Sequence, residues 1–209
     1  MKNIIILGSG GFAREVIWLI EDLNKIKMQY HIVGIVTNNM EEMKKIEYPY
    51  LGNDDCLSTY EGKNIGLVIG IGAVKARRAI AKKLEKTYFD YPNLISKDAV
   101  IGNNLKLGQG NIICSHTILT TDIEIGNFNI INLSCTLGHD SILENFITVN
   151  PGSNISGNVH IGNECEIGTG VKIIQGINIT EKTIIGAGGV VVRDTEHEGT
   201  YIGVPAKRK

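Results

Sequence analysis

Two periodicities of apolar residues divide the chain into two parts. In the first part, continuous apolar runs alternate with segments in which apolar residues recur every three or four positions. The runs are "NIIIL" (3–7), "HIVGIV" (31–36) and "NIGLVIGIG" (64–72), and the other segments are 12–25 and 73–88. Continuous runs predict buried parallel strands, whereas the three-to-four spacing predicts amphipathic helices. Strands alternating with helices predict a small Rossmann-like α/β domain, which we place at residues 1–90.

The second part of the chain repeats every six residues. From residue 95 to residue 190, sixteen consecutive hexapeptides begin with Ile, Leu or Val, and their second position is often Gly. This period predicts a parallel β-helix, because each hexapeptide forms one short strand and one corner, and three hexapeptides complete a coil. We place this domain at residues 91–209. The first-position aliphatic residues should point inward, and Gly and Asn should provide the unusual backbone angles of the corners.

A glycine motif follows the first predicted strand. The stretch "GSGGFA" (8–13) matches G-x-G-x-x-G/A at a strand–helix junction, where backbone N–H groups hold phosphate. A dinucleotide site would need an acidic residue at the end of the second strand, but Thr37 and Asn38 lie there, and the segment before the repeat is too short for two mononucleotide halves. A nicotinamide enzyme is therefore weakly supported. The glycines could serve only as a tight turn, or they could bind a phosphate-bearing substrate such as a nucleotide-linked sugar. Gly72, at the end of the third strand, is expected at the same edge of the sheet, where it could contact the same substrate.

One histidine stands out within the repeat. His139 is the third residue of its hexapeptide, so we expect it at a corner, pointing outward, with Asp140 beside it. Gly157 lies three hexapeptides further on and should stack one coil away. An imidazole beside an accessible glycine N–H is the arrangement required for a proton acceptor and an oxyanion donor. The alternative is a solvated surface histidine.

The other histidines and the cysteines favour no metal site. Neither His116 nor His160 is separated from His139 by a whole number of coils, so the three do not form one column. A three-histidine zinc site on one face is not predicted, although ligands from two subunits stay open. The four cysteines form no C-x-x-C pair, and Cys135 and Cys165 occupy small inward positions on different faces.

Composition narrows the class of protein further. The formal net charge is −1, so no affinity for nucleic acid is expected. No apolar run reaches the roughly 20 residues of a membrane span, and the N-terminal sequence lacks the features of a signal peptide. We expect a reduced, cytoplasmic chain without membrane partners.

The ordered motifs resemble a known family. "LGSGGFAREV", "YLGND", "VIGIG…R", the hexapeptides, "GHD", "SGNVHIG", "IGAGGVVVRD" and "IGVPAK" are similar to the NeuD/PglD family of bacterial sugar acetyltransferases over the whole chain. The resemblance implies a left-handed β-helix and a homotrimer, with acetyl-CoA in the groove between two neighbouring prisms. It also implies that the N-terminal domain holds a nucleotide sugar, whose sugar reaches the groove of an adjacent subunit.

The resemblance also implies roles for individual residues. His139 would be the general base, Asp140 would raise its basicity, and Gly157 would donate its N–H to the thioester carbonyl. Relatives that act on UDP-4-amino sugars carry an acidic pair where this chain has Thr37 and Asn38. The remaining implied contacts are the phosphate loop at Gly10, Gly11 and Phe12, the nucleotide contact at Gly72, the acceptor-sugar contact at Asn132, and the CoA groove at Thr148, Thr169 and Asn178.

The sequence therefore predicts an acetyl-CoA-dependent N-acetyltransferase acting on a nucleotide-activated amino sugar of the UDP-4-amino type, for glycan or glycoprotein biosynthesis. An O-acetyltransferase of a sialic-acid-type sugar is an alternative within the same class. A non-catalytic nucleotide-sugar scaffold and a zinc hydratase are alternatives from other classes, and only the hydratase requires a bound metal.

Overall fold

The computed structural model describes residues 1–209 and divides into two compact units, Met1–Leu94 and Ile95–Lys209. In the N-terminal unit, β1 (Lys2–Leu7) lies between β2 (Tyr30–Val36) and β4 (Ile65–Ile69) in a parallel four-stranded sheet of order β3-β2-β1-β4. Strand β3 (Tyr50–Gly52) is at the edge. The helices are α1 (Gly11–Ile26), α2 (Met40–Met43), α3 (Val74–Lys83) and a 3₁₀ helix at Asp54–Tyr60.

The apolar pattern accounts for the main elements of this unit. Strand β4 is buried along its whole length, and α1 buries an apolar stripe that includes Ala13, Val16 and Ile20. The three predicted strands and two predicted helices are therefore present. Strand β3, α2 and the 3₁₀ helix were not predicted, because such short segments do not display a period.

The C-terminal unit is built from short strands that begin at position 94. They are β5 (Leu94–Ile95), β6 (Val100–Ile101), β7 (Lys106–Leu107), β8 (Ile112–Ile113), β9 (Ile118–Leu119), β10 (Glu124–Ile125), β11 (Ile130–Ile131), β12 (Thr136–Leu137), β13 (Ile142–Leu143), β14 (Thr148–Val149), β15 (Asn154–Ile155), β16 (His160–Ile161), β17 (Glu166–Ile167), β18 (Lys172–Ile173), β19 (Asn178–Ile179), β20 (Thr183–Ile185), β21 (Val190–Val191), β22 (Gly199–Ile202) and β23 (Lys207–Arg208).

Every third strand of the repeat belongs to the same sheet, so the strands form the three faces of a left-handed β-helix. The six-stranded sheet runs β21-β18-β15-β12-β9-β6, and the five-stranded sheet runs β19-β16-β13-β10-β7. The eight-stranded sheet continues through β20 into the C-terminal strands β22 and β23. Partners in neighbouring coils are three hexapeptides apart, as Thr136 and Asn154 are, which confirms the predicted coil.

The interior of the β-helix is filled by the residues that the repeat predicts. First-position aliphatic residues from Ile113 to Ile185 are buried, whereas the earliest ones, such as Ile101, are partly exposed. Three small polar residues at the fifth position, Thr117, Ser141 and Ser153, donate their hydroxyl groups to carbonyls fifteen residues further on, as Ser153 Oγ does to Gly168 at 2.8 Å, whereas the buried hydroxyl of Thr183 has no partner. Cys135 and Cys165 are buried free thiols that precede strands of different sheets, as expected.

The corners differ from the prediction in one respect. The left-handed backbone conformation falls on the fourth position of the hexapeptide, where Asn158 and Gly170 adopt it but Phe128 and Asp140 do so as well. The second-position glycines have other backbone angles. They are needed because neighbouring coils approach closely: a Cβ at Gly168 would lie 2.6 Å from the Ile185 carbonyl oxygen.

None of the helices combines the length and the apolar character that crossing a lipid bilayer requires.

Candidate active site

His139 and Asp140 lie at the corner between β12 and β13, and their side chains contact each other. His139 Nδ1 is 2.7 Å from Asp140 Oδ2. Consecutive residues seldom meet in this way, but Asp140 has φ of 58°, and the left-handed conformation directs its carboxylate back towards the imidazole. An ionised carboxylate only accepts hydrogen bonds, so Nδ1–H donates to Asp140. The lone pair of the neutral imidazole is then on Nε2.

Gly157 occupies the matching corner of the next coil. A Cβ at this position would lie 2.5 Å from His139 Nε2, so only glycine leaves room for the imidazole where it stands. The neighbouring Asn158 N–H donates to the His139 carbonyl at 2.7 Å and fixes the two corners against each other. The Gly157 N–H itself makes no hydrogen bond within the chain. The corner therefore places a basic nitrogen beside an available backbone donor.

A third residue of the corner was missed by the sequence reasoning. Asp122 lies three hexapeptides before Asp140, so the coil length could have identified it. Hydrogen bonds from Asn104 and Thr121 hold the pKa of the Asp122 carboxyl below its usual range, and the neighbouring His139 acts in the same direction. A second carboxyl therefore lies close to the His139 corner.

The His139–Asp140 pair is open in the single chain. The two side chains are 51% and 61% exposed, and an ion pair in such a solvated position contributes little to stability. The pair is therefore better explained by chemistry than by folding.

The predicted CoA contacts have different surroundings. Thr169 and Asn178 are exposed, whereas Thr148 is only 5% exposed. The Asn178 backbone and side-chain amides donate to Asp194, whose pKa they lower. Asn132 is half-buried, and its Oδ1 accepts from the Leu133 N–H at 2.7 Å. The structure does not bring these four side chains into one cluster with His139, and their roles stay predictions.

A second imidazole–carboxylate pair lies on the five-stranded sheet. His160 Nε2 is 2.9 Å from Glu144 Oε1, and both residues line a cavity of about 300 Å³ together with Asn178. The other Glu144 oxygen accepts from the Asn163 amides and so ends a ladder of hydrogen-bonded asparagines, Asn127, Asn145 and Asn163. Glu144 thus joins His160 to the asparagine ladder, a connection that the sequence did not reveal.

The predicted phosphate loop lies at the carboxyl edge of the N-terminal sheet. Gly10 and Gly11 open α1, no side chain caps that helix, and the space where a Gly10 side chain would lie is empty. Gly72 follows β4 and lies against Phe12, since its Cβ position is 3.8 Å from Phe12 Cβ. The fold therefore brings the predicted phosphate loop and Gly72 to the same edge of the sheet. Their contact with a nucleotide stays a prediction.

Thr37 and Asn38 directly follow β2 at the same edge. Thr37 is buried, and its Oγ1 is 2.9 Å from Ser9 Oγ and accepts from the Asn39 N–H at 3.0 Å. Asn38 is exposed. The hydroxyl of Thr37 is thus engaged within the loop, and Asn38 is the residue of the two that offers its side chain to solvent.

No group of three or more His, Cys, Asp or Glu side chains is arranged to hold a metal ion.

A left-handed β-helix with an imidazole–carboxylate pair at a corner, beside a glycine of the next coil, defines the class of hexapeptide-repeat acyltransferases. Residues 3–84 match the family model described as the PglD N-terminal domain. No curated protein matches the chain in sequence.

Solved structures match over the whole chain. PerB from Caulobacter crescentus, in complex with CoA and GDP-perosamine, is 30% identical with a TM-score of 0.89, over 100% of this chain and 98% of that one. The acetyltransferase domain of PglB from Neisseria gonorrhoeae, in complex with acetyl coenzyme A, is 26% identical with a TM-score of 0.88, over 100% and 99%. WeeI from Acinetobacter baumannii is 26% identical with a TM-score of 0.88, over 99% of each chain. The chain belongs to the NeuD/PglD family of bacterial sugar acetyltransferases.

Proposed function

We propose that the protein transfers the acetyl group of acetyl-CoA to the amine of a nucleotide-activated amino sugar, as an N-acetyltransferase of glycan or glycoprotein biosynthesis. The observation that carries this proposal is the His139 corner, where Nδ1 contacts Asp140 and Nε2 faces Gly157. The bound CoA, acetyl coenzyme A and GDP-perosamine of the related structures support the two substrate classes.

The chemistry follows from the geometry of the corner. The sugar amine attacks the thioester carbonyl carbon while His139 Nε2 accepts a proton from the amine. The Gly157 N–H stabilises the oxyanion, an interaction whose loss costs about 3–4 kcal/mol where one such donor has been removed. The tetrahedral intermediate collapses, the carbon–sulfur bond breaks, and the CoA thiolate leaves and takes up the proton. Asp140 stabilises the imidazolium formed in between.

The buried cysteines support direct transfer without an acyl-enzyme. Burial raises the pKa of the Cys135 thiol, and it raises the pKa of Cys165 to about 12. Thiols in this state are protonated at neutral pH and are poor nucleophiles. In this mechanism His139 acts on the acceptor amine itself.

The acceptor in this proposal is a UDP-4-amino sugar held by the N-terminal unit. The glycine loop at Gly10 and Gly11, with Gly72 at the same edge, would hold the diphosphate. Because Thr37 stands where UDP-sugar relatives carry an acid, the ribose contact would use Asn38 or backbone groups instead. We place the enzyme in the cytoplasm, since its four cysteines are free thiols, which a reducing compartment maintains. The homotrimer in this proposal is the one that the family resemblance implies.

The test is an acceptor screen. The protein is incubated with acetyl-CoA and with UDP-, dTDP-, GDP- and CMP-linked amino sugars or a sialic acid, and mass spectrometry locates the acetyl group. Acetylation of a nucleotide-linked amine is expected. Acetylation of a sialic-acid hydroxyl would assign the O-acetyltransferase alternative, and nucleotide-sugar binding without any turnover would assign the scaffold.

A further inference from the structure

Arg77 is a charged side chain buried inside the N-terminal unit. It is 1% exposed and is the only charged residue among the buried ones. A guanidinium stays protonated at any physiological pH, and its burial is costly unless its N–H groups are hydrogen-bonded. An apolar side chain would fill this space at a lower cost, so the arginine needs a reason other than packing.

The guanidinium is tied to the turn that connects β4 with α3. Arg77 Nη1 donates to the carbonyl oxygens of Ile71 at 3.0 Å and Gly72 at 2.7 Å. Arg77 lies in the first turn of α3, where the helix dipole disfavours a cation, and no side chain caps this helix. The hydrogen bonds to Ile71 and Gly72 therefore tie the arginine to the turn that precedes its own helix.

The two hydrogen bonds fix the orientation of two peptide planes. In a planar trans peptide, the carbonyl of one residue and the N–H of the next point in opposite directions. With the carbonyls of Ile71 and Gly72 held by Arg77, the N–H groups of Gly72 and Ala73 point away from the guanidinium. This turn lies at the carboxyl end of β4, the edge at which open α/β sheets bind ligands.

The turn is packed directly against the glycine loop. Gly8 has φ of +106°, and a Cβ there would lie 2.8 Å from Ile71 Cγ1 and 3.2 Å from the Gly70 carbonyl oxygen. A Cβ at Gly70 would lie 3.1 Å from the Cα of Ala13, in the first turn of α1. With no space between them, a displacement of the turn displaces the loop.

We propose that Arg77 is a positioning residue of the nucleotide-sugar pocket. It holds the turn at residues 70–72 and, through that turn, keeps the glycine loop at residues 8–12 in the shape that accepts a nucleoside diphosphate. Arg77 touches the turn and not the substrate. This inference rests on the proposed function, because it assumes that the N-terminal unit binds the nucleotide.

The test compares full-length Arg77→Met and Arg77→Lys with the wild type. Met keeps an apolar side chain but has no N–H donors, and Lys keeps the positive charge but lacks the planar guanidinium. Calorimetric titrations measure binding of UDP, dTDP, GDP and CDP, and separately of acetyl-CoA. For the nucleotide that the wild type binds best, we expect the Met variant to lose about tenfold or more in affinity, the effect of losing one hydrogen bond to a charged phosphate. The Lys variant should lose less.

Two controls separate positioning from folding. Acetyl-CoA affinity should be unchanged in both variants, and Arg78→Met, which replaces the exposed arginine next along α3, should bind every ligand as the wild type does. Equal loss of nucleotide and acetyl-CoA binding, together with a lower melting temperature, would overturn the proposal in favour of a purely structural arginine. If the Met variant does not fold, the nucleotide and acetyl-CoA affinities of the Lys variant, compared with those of the wild type, provide the test.

The remaining outcomes distinguish this inference from the proposed function. A wild type that binds a nucleotide, with unchanged affinity in the folded variants, refutes the role of Arg77 and leaves the proposed function standing. A wild type that binds none of the four nucleotides removes the nucleotide part of the proposed function, and the role of Arg77 with it.

Discussion

The His139 imidazole is held from two sides by residues of different coils. Asp140 accepts the hydrogen bond from Nδ1, and the backbone of Gly157 lies against Nε2. Because each contact uses a different ring nitrogen, the tautomer and the position of the basic lone pair are both set by the fold. The proposed catalytic geometry therefore depends on the absence of a side chain at Gly157 as much as on the presence of the histidine.

Gly157→Ala is expected to reduce turnover about a hundredfold, because the added methyl group would displace the imidazole and obstruct the oxyanion donor. Gly157 is outside the left-handed region, so alanine should be accepted by the backbone and the melting temperature should stay close to that of the wild type. The release of free CoA thiol measures turnover. Gln175→Ala, an exposed residue one coil further along the same column, is the control, and a fully active Gly157→Ala would refute this role.

The spacing of three hexapeptides per coil made part of this corner predictable. The spacing alone places Gly157 one coil from His139, and it likewise places Asp122 one coil from Asp140. The turn of the Asp140 carboxylate towards its own neighbour was not predictable, since it depends on a backbone conformation that most residues avoid. Arg77 was likewise missed, because an amphipathic pattern predicts that arginine faces solvent.

Among the structural elements, the coils of the β-helix depend on two kinds of glycine. Second-position glycines such as Gly168 permit close approach of neighbouring coils, whereas fourth-position glycines such as Gly170 adopt the left-handed conformation in open space. A long unbroken repeat revealed the strands and their register, because every coil repeats the same signal. The backbone angles at each corner are not encoded as clearly, since Phe128 and Asp140 occupy the same position as glycine elsewhere.

Gly168→Ala should lower the stability of the β-helix by about 1–3 kcal/mol, the usual cost of overpacking, because the methyl group would meet the Ile185 carbonyl. Gly170→Asn should change stability by less than about 1 kcal/mol, because asparagine tolerates the left-handed conformation and nothing occupies the space beside it. Thermal unfolding followed by circular dichroism compares the two. A larger loss for Gly170→Asn would contradict this distinction.

In the whole molecule, the outer surface of the β-helix carries apolar residues that a single chain leaves in water. Val100 and Ile118 are neighbours in the six-stranded sheet, and both are exposed. The column then continues with the polar residues Thr136 and Asn154, so the apolar contact surface is confined to the first coils of this sheet. It agrees with the proposed homotrimer, in which the open His139 corner would be covered by a neighbouring protomer.

Sedimentation equilibrium is expected to give three times the chain mass of 22.8 kDa at micromolar concentration. Ile118→Asp should shift the distribution of oligomeric states towards single chains and lower activity, because it places a charge beside the exposed Val100. A wild type that sediments only as single chains while retaining full activity would contradict the trimer and the shared groove.

The most direct test of the central claim is the turnover of His139→Ala with acetyl-CoA and the acceptor identified in the screen. We expect turnover to fall at least about a hundredfold, as the loss of a general base does, with acetyl-CoA affinity and melting temperature unchanged. His197→Ala replaces an exposed histidine whose only hydrogen bond uses its backbone carbonyl, and it should retain the wild-type turnover. A His139→Ala variant with wild-type turnover would contradict the account.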